Sequence, residues 1–125
     1  MSSSESLRGY GKKPFERDRW ICQYCGEDFS AFDKWLYLCV DHIIPFHQQS
    51  AVHANLNDSR NITTCCRMCS GFANRQIFKI PEGSSFEEQI TAVFKQKKAA
   101  KLEKRKEFFE FWRENVEPKL GGKKP

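Results

Sequence analysis

Four of the six cysteines fall in two pairs of equal spacing, Cys22-x-x-Cys25 and Cys66-x-x-Cys69. A CxxC turn brings two thiolates within about 4 Å, the edge of a tetrahedron whose metal–sulfur bonds are ~2.3 Å. Gly26, directly after Cys25, suits the sharp turn of such a knuckle. Two knuckles make a closed four-sulfur site, the geometry of a structural Zn²⁺ with no open position for a substrate. Cys39 and Cys65 are left over. Cys39 lies in an apolar run and is expected as a small core residue. Cys65 competes with Cys66 as the partner of Cys69, and the x-x spacing favours Cys66. Between the knuckles, the stretch YLCVDHIIPFHQ ends an apolar run in an acid and a base side by side, Asp41 and His42. Neither a core strand nor a solvent loop calls for that pair.

The elements that must position these residues are few. The chain has 125 residues, enough for one small domain with a modest core. No stretch approaches the length of a membrane span, and the opening MSSSESLRGYGKKP lacks the apolar segment of a secretory signal. A reducing, cytoplasmic setting is expected, where cysteines serve metals more often than disulfides. The net charge of +5 is compatible with a polyanionic partner.

Residues 1–13 are expected to be a flexible start and 119–125 a frayed tail. PFERDRW, 14–20, predicts a short helix, and DKWLYLCV, 33–40, a strand buried on both faces. Residues 45–60 are polar and predict a long loop. A turn or strand from Asn61 gives way to a helix around the second knuckle. SSFEE offers a capping box, Ser84 with Glu87 or Ser85 with Glu88, ahead of a helical stretch to about Val116. Its apolar spacing lapses between Lys95 and Lys106, where Lys95, Lys97, Lys98, Lys101, Lys104, Arg105 and Lys106 face one acid, Glu103. That middle is expected to stay in water, with a break near Ala99–Ala100 as an alternative to one long helix. Its lysines are candidates for DNA phosphates or a solvated face.

The order CxxC, Asp-His-Ile-Ile-Pro, Asn, CxxC resembles the HNH endonuclease family, in its zinc-binding subgroup. The resemblance rests on FERDRWICQYCG (15–26), LCVDHIIP (38–45), RNITTCCRMC (60–69) and NR (74–75), and covers about residues 14–78. It implies an α+β fold: a ββα-metal core stapled by the four cysteines over 14–82, with a C-terminal helical extension over 83–118. The strands would be 38–45 and 61–64, the helix 66–78, and one divalent ion, Mg²⁺ or Mn²⁺, would lie between them.

The resemblance implies a DNA phosphodiester hydrolase leaving 5′-phosphate and 3′-hydroxyl ends. His42 would be the general base, since imidazole titrates near neutral pH. Asp41 would bind the catalytic ion, because a hard cation prefers carboxylate oxygen. Asn61 would order the loop and fix the His42 ring. The family's second metal ligand directly follows the last cysteine as Asn or His, and here that residue is Ser70. Asn74, one helical turn on, is the alternative ligand, and water a third. Arg67 and Arg75, with Lys97 and Lys101, are candidate DNA contacts. Two other classes stand beside the nuclease: a zinc-stabilised nucleic-acid-binding module with a degenerate site, and a structural zinc protein docking on a partner or a second copy.

Overall fold

Two five-residue strands, β1 (Leu38–His42) and β2 (Ile62–Cys66), pair antiparallel in the computed structural model, which describes residues 12–121. Leu38 stands opposite Cys66, Cys39 opposite Cys65, Asp41 opposite Thr63 and His42 opposite Ile62. All of β2 is buried. Its outer edge is not left open, because Thr64 N–H donates to Asp18 Oδ2 (3.0 Å) and Thr64 C=O accepts from Gln23 N–H (3.0 Å). Arg17 adds bonds to the Ser59 and Ile62 carbonyls. Helix α1 (Lys12–Arg17), which carries Arg17, is thereby fixed beside β2.

The 33–40 strand predicted from the sequence starts late. Trp35–Tyr37 forms a 3₁₀ turn with Leu36 and Tyr37 exposed, and the strand proper runs on through Asp41 and His42. The helix predicted over 66–78 is cut to one turn, α2 (Arg67–Ser70). Its last carbonyls do not continue a helical ladder. Instead the buried Lys101 ammonium donates to Cys69 C=O (2.7 Å) and Phe72 C=O (2.6 Å), and Ala73 turns into the left-handed region at φ 58°.

Helix α3 (Phe86–Asn115) is one unbroken run of 30 residues, about 45 Å at 1.5 Å per residue. Ser85 caps it: its Oγ accepts from Glu88 N–H and donates to Glu88 Oε1, both at 3.1 Å, which selects one of the two expected boxes. Its buried residues are Ile90, Val93, Lys97 and Lys101. The apolar stripe therefore does not lapse at the basic run, because two lysine stems carry it on. This overturns the expectation of a solvated middle. The helical spacing of Phe108, Phe109, Trp112 and Val116 predicts that the last turns also dock on the core, yet Phe108, Phe109 and Trp112 are exposed.

Two buried clusters result. One gathers Phe15, Tyr24, Phe29 and Leu38 around the cysteines; the other gathers Ile43, Ile44, Val52, Leu56, Phe78, Ile90 and Val93. Phe94 packs against both. The fold is a small α+β arrangement of helices about a two-stranded sheet. No helix among the described residues is long and apolar enough to cross a membrane. Residues 1–11 and 122–125 lie outside the described residues, and with them most of the expected flexible start and tail. Lys12 and Lys13 already belong to α1, and Glu117–Leu120 forms a 3₁₀ turn.

Candidate functional site

The chain leaves α1 through two consecutive left-handed residues, Arg19 (φ 58°) and Trp20 (φ 61°), and enters the first knuckle. There Gly26 N–H closes a turn on Cys22 C=O at 2.8 Å, with φ 78° at the glycine. A side chain at Gly26 would meet no neighbour, so the positive φ alone calls for glycine. The second knuckle lies where β2 passes into α2, and Cys66 Sγ accepts from Cys69 N–H (3.4 Å) as the cap of that turn.

The Sγ atoms of Cys22, Cys25, Cys66 and Cys69 all lie within 4.8 Å of one another, close enough to hold one metal ion. Cys66, not Cys65, belongs to the cluster. Cys65 is buried beside it and donates to Cys66 C=O. Contacts from Cys65, Cys66 and Cys69 pull the Cys22 thiol far below its ordinary value, and the contact with Cys22 pushes Cys69 up and Cys66 up to about 11. Four sulfurs so close cannot all ionise unless a cation balances them. Arg105 adds positive charge from outside, its Nη1 3.8 Å from Cys69 Sγ.

Asp41 and His42 occupy the end of β1. Asp41 turns toward α3. Its Oδ2 accepts from Tyr24 Oη (2.5 Å) and from Lys97 Nζ (2.9 Å), and among the described residues no bond reaches Oδ1. Lys97 is buried and also donates to His42 C=O (2.7 Å) and Ile43 C=O (3.2 Å). Burial pulls the Lys97 ammonium below the ordinary lysine value, and Asp41 opposes that pull. The Tyr24 hydroxyl is pushed far up, by burial first and by Asp41 second, so it stays a donor. Its ring stacks on Phe94 at 5.3 Å.

His42 is half-buried against Phe46, with ring centroids 4.6 Å apart. Its Nε2 lies 2.9 Å from Asn57 Oδ1. The contact fits a ring that donates from Nε2, since an amide oxygen only accepts. Asn61 does not hold the ring, as the resemblance implies. It is fully buried and works on the loop backbone: Oδ1 accepts from Ile44 N–H (2.8 Å), and Nδ2 donates to Ile44 C=O (3.1 Å) and Leu56 C=O (2.9 Å). Gln48 closes the same loop against Phe78 with a reciprocal pair of bonds, 2.8 and 3.0 Å.

The remaining candidates separate. Ser70 lies beside Cys39, whose thiol is lowered to about 7 by Cys65 first and, against burial, by the Ser70 hydroxyl. Asn74 and Arg75 are exposed in a turn beyond the end of α2, so Asn74 does not share a helical face with Ser70. Lys97 and Lys101 are 4% and 0% exposed, which removes both from the surface and corrects their assignment as DNA contacts. Arg67 is exposed and bonds the Leu36 carbonyl. Sequence reasoning missed Tyr24 and Asn57, and gave Lys97 a different role, as a DNA contact instead of a partner of Asp41. Tyr24 sits inside the first knuckle, where aromatic size signals only core. Asn57 and Lys97 are ordinary polar residues until the fold places them at the end of β1.

For a hard divalent ion, Asp41 Oδ1 is the carboxylate oxygen that the described residues leave at this place. Ions such as Mg²⁺ are often held by one or two carboxylates, completed by water and substrate phosphate. Asp41 fits that thin kind of site and not a closed protein cage. Comparison of the chain with protein-family models, with curated proteins and with solved structures finds no match.

Proposed function

We propose that the chain hydrolyses DNA phosphodiester bonds, as an HNH-type endonuclease with His42 as general base, Asp41 as the protein ligand of Mg²⁺ or Mn²⁺, and Zn²⁺ at the four cysteines. The observation that carries the reading is the His42–Asn57 contact at 2.9 Å, one residue from Asp41. A ring held in a fixed orientation can take a proton from water. The water oxygen then bonds to phosphorus as the bond to the 3′-oxygen breaks, and that oxygen takes a proton from solvent water to leave as the hydroxyl. A bound divalent ion would stabilise the charge on the phosphate oxygens and the leaving group. The zinc is structural, since sulfur donors on all four sides leave no place for substrate.

With Lys97 and Lys101 turned inward, phosphate contacts fall to the exposed Lys95, Lys98, Lys104 and Lys106, with Arg67 and Arg75. A noncatalytic DNA-binding module is the second reading. The Lys97–Asp41 pair favours it, because an ammonium already balances the one carboxylate.

Plasmid nicking separates the two. Zinc-loaded protein with Mg²⁺ or Mn²⁺ is expected to convert supercoiled plasmid to open circles. His42→Ala is expected to lose roughly 10²–10⁴-fold in rate while melting like wild type, and leaving out Mg²⁺ and Mn²⁺ should stop the reaction. Folded protein that binds the plasmid in a salt-dependent way but never nicks it would establish the module instead.

A further inference from the structure

The position of Lys97 has a consequence for the metal at Asp41. Resting on the reading of Asp41 as a divalent-ion ligand, we propose that Lys97 is the resident counter-cation of that carboxylate and keeps it weak for metal on its own, so that the ion binds well only when substrate phosphate adds negative charge.

Four observations carry this. The Lys97 ammonium is 2.9 Å from Asp41 Oδ2. Its three hydrogens have three acceptors, Asp41, His42 C=O and Ile43 C=O, so it is held in place rather than swinging through the site. Both donors to Asp41, Tyr24 and Lys97, fall on Oδ2, which leaves Oδ1 as the oxygen for an ion. The lysine is 4% exposed, so water screens little of its charge. A dication at Oδ1 would sit a few ångströms from a fixed positive charge in a poorly screened place. That repulsion persists even at the effective dielectric constant of about 20 that suits groups near a protein surface. A phosphate diester brings a negative charge to the same spot and offsets it. Lys97 is thus a positioning and affinity-setting residue. It does not touch the reacting atoms.

The test is Mn²⁺ binding, followed by the electron paramagnetic resonance signal of the free ion, on the full zinc-loaded chain without DNA. Wild type is expected to bind weakly at this site, and Lys97→Arg equally weakly. Lys97→Gln keeps an amide donor for the backbone carbonyls but loses the charge, and should bind Mn²⁺ at least about tenfold more tightly. Asp41→Asn on the Lys97→Gln background should abolish that gain.

A folded Lys97→Gln that binds no better than wild type overturns the proposal. So does a gain that survives Asp41→Asn. Should Lys97→Gln not fold, the wild-type chain still decides. Its Lys97 ammonium nitrogen resonance should stay put with Mg²⁺ alone and shift when Mg²⁺ is added with a short duplex, while that of Lys101 stays put. A shift with Mg²⁺ alone, or none with both, overturns it. These readouts do not use turnover. A chain that never nicks but gains Mn²⁺ affinity in Lys97→Gln would refute the nuclease and keep the role of Lys97. A nicking chain without the gain would do the opposite.

Discussion

The cysteine cluster and the end of β1 differ in how each balances its own charge. At the cysteines, four soft donors converge within 4.8 Å and their mutual repulsion demands a positive charge from outside. At Asp41, one hard donor already has a positive charge of its own, Lys97 at 2.9 Å. The first place is incomplete without metal, whereas the second is electrically satisfied without it. Two lysines of one helix, one turn apart, serve the two regions. Lys101 fastens the carbonyls behind the second knuckle, and Lys97 fastens the carbonyls behind the Asp–His pair. A metal whose job is folding needs a site that fails without it. A metal whose job is chemistry is better held by a site that stands ready and lets it go.

The comparison breaks most visibly if the cysteine cluster does not need its ion. Cys66→Ser, or stripping with a zinc chelator, is expected to abolish the cooperative melt followed by circular dichroism, since structural zinc contributes on the order of 10 kcal/mol in small domains. Elemental analysis should find one zinc per folded chain. A metal-free protein that melts as the native one does would end the distinction.

Next in size is Asn61→Ala, which strands a buried N–H and two carbonyls at the other region. It should cost about 3 kcal/mol in urea unfolding and leave the bound zinc in place. Release of zinc at the same urea concentration as wild type, with a lowered midpoint for the loop, would sharpen the division into two regions.

The smallest effect is on pH. Asp18 is held below the ordinary carboxyl value: burial pushes it up, but bonds from Arg17 and Thr64 outweigh that. A depressed folded value stabilises above the unfolded value of about 3.9 and loses that contribution as pH falls through the folded one. Asp18→Asn should therefore remove part of the acid slope of the melting temperature below about pH 4 and change little at pH 7. An unchanged slope would show that the β2 edge does not depend on that charge.

How much of this was legible in the sequence follows from the range of the interactions concerned. The knuckles are local, since spacing and a glycine fix a CxxC turn, and the four cysteines converge as expected. The strand pairing at Asp41–His42 was legible in outline, and so was the Ser85 cap. The short helix after the second knuckle was not. Its end is decided by Lys101, which lies 32 residues from Cys69. The burial of Lys97 and Lys101 was hidden for the same reason. A lysine stem fills a core position only if a distant carbonyl or carboxylate waits for its head, and no helical periodicity reports that. Asn61 orders the loop as expected, through Ile44 and Leu56, but its bonds do not reach the imidazole, which meets Asn57 at 2.9 Å instead.

Lys97 stands 55 residues downstream of His42, the residue whose carbonyl it holds. At a synthesis rate of roughly 5–20 residues per second, about 3–11 s pass on the ribosome between the two. Throughout that interval the nascent chain carries its acid and base without the helix that seats them. The Asp–His pair is therefore seated only after the helix that carries Lys97 has been made.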